Sequence, residues 1–375
     1  MTIVTIRNVD ILGVNGIQRR TNITFEHSPG NILSDQAQAD DEMDGSGCTM
    51  VAGFIDAKVD THGMPAALNQ MAAHGVTTAV DSSSDTSHAQ AMRLTAAESP
   101  TSPSFFFTGT IMGSVRSAAL SLFPYQSVRR VATRDEAVDY VEAMVRDSGV
   151  DLFKMVLDQP GLDIETLTAA TAAAHRHGKL VIGHASQVGA YRLAVQSGCD
   201  LVTPAPLDGL LSNDLVAAMA RSGIGVIPTL AFLRRAVVGG HMAQVAYDNA
   251  LAAVRTLHGA GVGICAGSSS KPSEGPGDVT IGHGSGLMEE LELLKADAGM
   301  SCDELLRAAT STPAKVFRFA DRGVLAEGRR ADMVLVRGSP LNDAALADRI
   351  LKVWVGGVEV ESVGARRRSV VEGRG

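Results

Sequence analysis

The chain has 375 residues, 45% of them hydrophobic and 20% charged, and a net charge of −8. Those values belong to an ordinary globular protein with a large core, and they exclude the global basic footprint of a nucleic-acid binder. The four cysteines, Cys48, Cys199, Cys265 and Cys302, stand far apart with no CxxC pair, which excludes a zinc ribbon or disulfide framework and fits a reducing cytoplasm. No basic region leads into an apolar core at the N-terminus, so no signal peptide is read. No apolar run is long enough to span a bilayer. The basic cluster Arg366 to Arg368 reads as a solvated tail.

In chain order, Thr2 to Ile6 and Asn22 to Phe25 read as short strands, followed by a Pro29-Gly30 turn. Gln36 to Gly47 is polar and acidic and reads as a loop, and Met50 to Ala57 as one strand. From there strands and helices alternate. The expected strands are Val76 to Asp81, Ser104 to Thr108, Asp151 to Leu157, Leu180 to His184, Asp200 to Thr203, Ile224 to Thr229 and Gly261 to Ala266. Thr133-Arg-Asp-Glu136 is a capping box that opens a helix ending at Gly149. Asp163 caps a helix that runs to His177, and another helix lies around Asn249 to His258. A second capping box, Ser301-Cys-Asp-Glu304, opens a last helix running toward Phe317.

Buried apolar strands alternating with helices imply a parallel sheet, and eight such strands close a barrel. The fold class expected is therefore α/β, a (β/α)8 TIM barrel over residues 51–320. Ala331 to Val336 and Lys352 to Val355 are strands without a helix between them. With the N-terminal strands they imply a small composite β-sandwich subdomain, residues 1–50 plus 321–375. Lys271 to Gly284 carries Pro272, Pro276 and several glycines and reads as a lid over the active face. Ser268-Ser-Ser-Lys271 matches the SxxK pattern by chance, since its partner motifs are missing.

Val51-Ala-Gly-Phe-Ile-Asp-Ala-Lys58-Val-Asp60 resembles the first barrel strand of the amidohydrolase superfamily, imidazolonepropionase-like branch. Gly75-Val-Thr-Thr78 with Asp81, Ile227-Pro-Thr-Leu230, Ala308 to Ala314 and Arg322 to Gly328 resemble later parts of the same family. The resemblance implies metal ligands at the strand ends: His-x-His on strand one, lysine on four, histidines on five and six, aspartate on eight. Here those positions hold Lys58 and Asp60, Lys154, His184, Pro204 and Ser269. An ammonium has no lone pair for a metal, proline has no side-chain donor, and serine is a poor zinc ligand. No metal and no cofactor is therefore expected.

The expected catalytic residues are Lys58, Asp60, Lys154 and His184, with His62, Asp158, Ser269 and His283 lining the substrate. Two lysines in one pocket depress each other's basicity, and a cation in a metal's place can stabilise developing negative charge. A quieter reading makes Lys58 and Asp60 an ion pair plugging a disused site. The function read is a metal-independent enzyme acting on a small molecule by acid–base chemistry: C–N hydrolysis, cyclisation, elimination or isomerisation. The alternatives are a non-catalytic binding protein of the same fold, or a hydrolase with a rebuilt mononuclear site from Asp60, His62 and His184. The partners expected are a small-molecule substrate and, by the resemblance, further copies of the chain, with no nucleic acid and no membrane.

Overall fold

The computed structural model describes residues 2–13, 16–28, 30–34, 36–123, 125–272 and 278–363. Pro29, the 273–277 centre of the expected lid, including Pro276, and the basic tail at Arg366 to Arg368 lie outside the described residues. No helix among the described residues is long and apolar enough to cross a membrane.

The strands in chain order begin with β1 (Ile3–Gly13), β2 (Gly16–Glu26), β3 (Ile32–Leu33), β4 (Asp41–Asp44) and β5 (Cys48–Ala52). Next come β6 (Phe54–Val59), β7 (Val76–Asp81), β8 (Ser104–Phe107), β9 (Ile111–Ser114) and β10 (Val128–Val131). They are followed by β11 (Leu152–Val156), β12 (Leu180–His184), β13 (Leu201–Thr203) and β14 (Gly225–Val226). The chain closes with β15 (Met333–Arg337), β16 (Ile350–Val355) and β17 (Val358–Val360).

Both chain ends build one eight-stranded sheet, ordered β17-β16-β15-β5-β1-β2-β3 with β4 beside β1. The join is the antiparallel pair β15 and β5. Its apolar face buries Ile6, Ile23, Phe25, Met50, Met333 and Trp354 in one cluster. The expected loop Gln36 to Gly47 contains β4, which runs parallel to β1. Asp-Glu-Met-Asp has no strand period of its own, so only the distant partner reveals it. Arg7 of β1 pairs with Glu42 of β4 across that edge.

The single strand expected from Met50 to Ala57 is two strands in two sheets, parted at Gly53. A Cβ on Gly53 would stand 2.2 Å from Thr77 Oγ1, so only glycine lets β6 drop against β7.

Two further sheets are wholly parallel, β6-β7-β8 and β10-β9-β11-β12-β13-β14. The expected strand Gly261 to Ala266 is instead a segment held by isolated parallel bridges, Val226 to Ile264 on one side and Val59 to Ser270 on the other. Gly267 permits that approach, because a Cβ there would meet Ile227 at 2.4 Å and the Lys58 nitrogen at 3.0 Å. The Asp151 amide donates to the Phe107 carbonyl at 3.0 Å, linking the start of β11 to the end of β8. Ala57, Val80, Leu152, Leu180, Ile182, Leu201, Ile227 and Cys265 converge in one buried apolar layer.

The helices in chain order are α1 (Ala66–Ala73), α2 (Thr86–Glu98), α3 (Arg134–Ser148), α4 (Ile164–Arg176), α5 (Val188–Ser197) and α6 (Asn213–Ser222). Then follow α7 (Leu230–Val238), α8 (Gln244–Gly259), α9 (Ser285–Ala296), α10 (Cys302–Ala308) and α11 (Ser311–Val316). At α3 the Thr133 side chain accepts from the Glu136 amide, but Glu136 reaches back to the Ala132 amide rather than to Thr133. The box at Ser301 and Glu304 is complete. The one helix expected from there to Phe317 is two, α10 and α11, because Pro313 has no N–H to donate back to Ala309.

Candidate active site

A strand points alternate side chains to the same face. Two residues beyond the apolar layer, that alternation brings Ser82 above Val80, Lys154 above Leu152, His184 above Ile182 and Thr203 above Leu201. The polar groups therefore gather at the C-terminal ends of the parallel strands, one step past the core.

Lys58 Nζ donates to Ser269 Oγ at 2.6 Å, and the Ser269 amide donates to the Lys58 carbonyl at 2.8 Å. Ser269 sits at φ 51° and His62 at φ 44°, two non-glycine residues in the left-handed region at the rim of one site. Lys154 is 0% exposed and Lys58 8%. Lys154 Nζ donates to the Ser82 carbonyl at 2.6 Å and lies 3.3 Å from the hydroxyls of Ser82 and Ser83. The ring of Phe123 lies 5.3 Å from that nitrogen. The same ring stands edge-on to His184, centroids 5.2 Å apart. Neither nitrogen of the His184 ring has a hydrogen-bond partner.

The direct ion pair expected between Lys58 and Asp60 does not form. Asp60 pairs with His62 at 3.0 Å and accepts from Ser84 Oγ at 3.3 Å, while Lys58 turns to Ser269. His283 Nε2 donates to the Asp60 carbonyl at 3.1 Å, so it holds the backbone of the strand end. Asp158 faces the 117–119 turn, accepting from Ser117 Oγ at 2.7 Å and the Ala119 amide at 3.2 Å, with its other oxygen unpartnered. The structure thus forms two groups, Lys58 with Ser269 and Asp60 with His62 and His283, joined through the backbone where the Asp60 amide donates to the Ser270 carbonyl. Lys154 and His184 meet on Phe123.

Sequence reasoning gave several contributors no role in the site. Asp81 is a hub, accepting from Thr61 through amide and hydroxyl, from Ser84 Oγ, and from the amides of Ser83 and Ser84. Asp56 accepts from the Ser268 amide at 2.9 Å and its hydroxyl at 2.6 Å. Period-two counting from Leu201 finds Thr203, and the run Ser82 to Ser84 after a strand end marks a hydroxyl cradle. Nothing in the local sequence points to Phe123.

Burial drives Lys154 well below the ordinary lysine range, and the nearby Lys58 charge drives it further; Asp60 and Asp81 oppose both. Lys58 is lowered by burial too, against Asp60, Asp81 and Asp56. His184 falls well below the usual histidine value by burial and by both lysines, so its ring is uncharged. Asp56 is pushed up to about 6 by burial.

The donor set does not suit a metal centre of the kind the resemblance implies. Lys58 and Lys154 spend their protons on Ser269 and Ser82, the strand-six position is Pro204, and its carbonyl accepts from Tyr191 Oη. Among the described residues no group of three or more His, Cys, Asp or Glu side chains is placed to hold a metal ion. Asp60 and His62 touch, but His184 turns to Phe123.

The Amidohydrolase family model matches residues 27–360 of this chain. An imidazolonepropionase from Deinococcus deserti is 27% identical over 238 residues, 60% of this chain and 52% of that protein, so the chain spans about half the length of this curated relative. An ochratoxinase structure from A. niger superposes with a TM-score of 0.81 at 16% identity, covering 97% of this chain and 96% of that one. A Xaa-Pro dipeptidase structure with methionine in its active site superposes at 0.78 with 18% identity, covering 96% and 99%. At those identities the structural likenesses speak for the fold alone.

Proposed function

The chain belongs to the amidohydrolase family, and from that premise we propose that it is a hydrolase of small molecules whose own lysines replace the family's metal chemistry. The two parallel sheets and the bridged segment 263–270 are read here as one (β/α)8 barrel spanning 51–320, with the composite sheet beside it as a separate subdomain. The site is then the barrel mouth, where TIM-barrel enzymes carry their chemistry. A C–N bond is the bond favoured, on the likeness to the curated imidazolonepropionase.

The observation that carries this reading is the pair of buried amines, Lys58 near the end of β6 and Lys154 in the middle of β11. In this reading Lys154, whose basicity burial lowers, takes a proton from water. The attacking hydroxide then meets the substrate carbonyl, and the Lys58 ammonium faces the oxyanion that forms. His184, uncharged and free at both nitrogens, passes the proton on to the leaving nitrogen.

The test uses purified protein assayed against prolyl dipeptides, N-acyl amino acids and cyclic ureas, with elemental analysis alongside. Lys154→Ala is expected to lower kcat about 100-fold or more, the usual yield of a positioned base. A chelator is expected to leave turnover intact. Stoichiometric zinc, iron or manganese whose removal abolishes activity would falsify metal independence. A ligand-binding protein without turnover is the second reading, favoured by the Phe123 ring, which covers Lys154 and meets His184 edge-on. Tight binding with no product from any substrate supports it.

A further inference from the structure

A cleft of about 330 Å³ lies between the composite sheet and the layer formed by α2 and β8. One wall is the turn from β16 to β17, with Val355, Gly356 and Val358. The other is the link from α2 into β8, with Ser102, Ser104 and Phe105. Arg330, just before β15, also lines it. The cleft sits at the N-terminal end of β8, whereas the candidate active site gathers at the C-terminal ends of the parallel strands. Ligand sites are typically concave, roughly 300–1,000 Å³, mostly apolar with a few placed polar groups, and common where structural units meet.

The polar group with capacity to spare is Arg330. Its Nε donates to Asp332 Oδ1 at 2.9 Å, and the same oxygen accepts from the Gly356 amide at 2.7 Å. Gly356 sits at φ 51°, and a Cβ there would stand 2.9 Å from Arg330 Nη2. Glycine therefore lets the guanidinium lie against the turn that lines the cleft. Asp332 takes the Nε side, while Nη1 and Nη2 have no hydrogen-bond partner among the described residues. Arg93, which also lines the cleft, is already engaged. It donates to the Gly149 carbonyl at 2.6 Å and lies 4.1 Å over the Phe107 ring.

We propose that this cleft binds a small monocarboxylate with an apolar body. The planar Nη1–Nη2 edge of Arg330 matches the two oxygens of a carboxylate. The hydrocarbon part lies against Phe105, Val355 and Val358, which a bare phosphate would leave wet. No bond is made or broken there, and the site stands whichever reading of the barrel mouth holds.

The test is isothermal titration of the full chain at neutral pH with benzoate and isovalerate, and with benzamide and inorganic phosphate as controls. Both carboxylates are expected to bind saturably at one site, and the controls about tenfold more weakly or worse, because a charge-assisted pair is lost or the apolar contact is missing. Arg330→Gln is expected to weaken benzoate binding by about tenfold or more. Val358→Glu serves as a second variant. It leaves Arg330 and Asp332 in place, lies on the edge strand β17, and sets a carboxylate against the ligand's own. Lys154→Ala is expected to bind benzoate as the parent protein does. No saturable binding of either carboxylate at millimolar concentration overturns the proposal, as does binding that survives both cleft variants. Binding lost in Lys154→Ala and kept in both cleft variants also overturns it, by placing the probe at the barrel mouth. Phosphate binding as tightly as benzoate overturns the apolar body.

Discussion

Lys154 is a side chain that the fold tolerates at a cost. Burial lowers the basicity of its amine in the folded protein, whereas in the unfolded chain the amine stays protonated until the pH nears about 10.4. Between the lowered folded value and that pH the unfolded state therefore binds more protons, and stability rises as the pH climbs through that window. Lys154→Met keeps the stem and deletes the amine. It is expected to raise the urea midpoint at neutral pH, with the gain shrinking as the pH approaches about 10. A gain of equal size at every pH would show that the amine stays charged inside. The places of Lys58, Lys154, Asp60 and His184 in the fold were legible because each stands in or just past a parallel strand in a recognisable pattern. Phe123 was not, because its contact with Lys154 spans 31 residues of chain and nothing in Leu-Phe-Pro announces it.

At the scale of elements, close approach decides where strands begin. Gly53→Ala drives a methyl into Thr77, with the added atom 2.2 Å from its hydroxyl. Overpacking of that kind costs about 1–3 kcal/mol, to be read as a lower melting temperature; an unchanged melt would mean β6 shifts freely. Glu290 ties α9 to the start of α7, accepting from the Ala231 amide at 2.7 Å. Burial pushes this carboxyl up to about 8. An acid raised on folding lends stability that is full below about pH 4.3 and is lost as the pH rises through its folded value. Glu290→Gln keeps the acceptor and cannot ionise. Its urea midpoint is expected to stay flat between about pH 5 and 8, where the parent protein's declines. Matching slopes in the two proteins would sink that assignment. Helix caps at Asp163 and Ser301 were readable, since a cap is a local hydrogen bond. Gly261 to Ala266 was readable as apolar sequence, but the structure holds this stretch through an isolated bridge at Ile264, which local propensity does not reveal.

Across the whole molecule, the two chain ends depend on each other. Phe25 from β2 meets Trp354 from β16 edge-on, centroids 5.8 Å apart, and Trp354 is 3% exposed. Trp354→Ala removes that buried ring and is expected to cost about 3–5 kcal/mol, measured by chemical denaturation. A loss near zero would mean that the composite sheet melts before the rest of the protein. The alternation of strands and helices and the family resemblance were both determined by the sequence itself, because periodicity and motif spacing are properties of neighbouring residues. Tertiary structure alone decided that Lys58 turns to Ser269 instead of Asp60, that Phe123 caps Lys154 and His184, and that Asp81 gathers the loop around the site. Those contacts join residues tens to hundreds of positions apart, and their energies come from desolvation and geometry that exist only once the strands lie side by side.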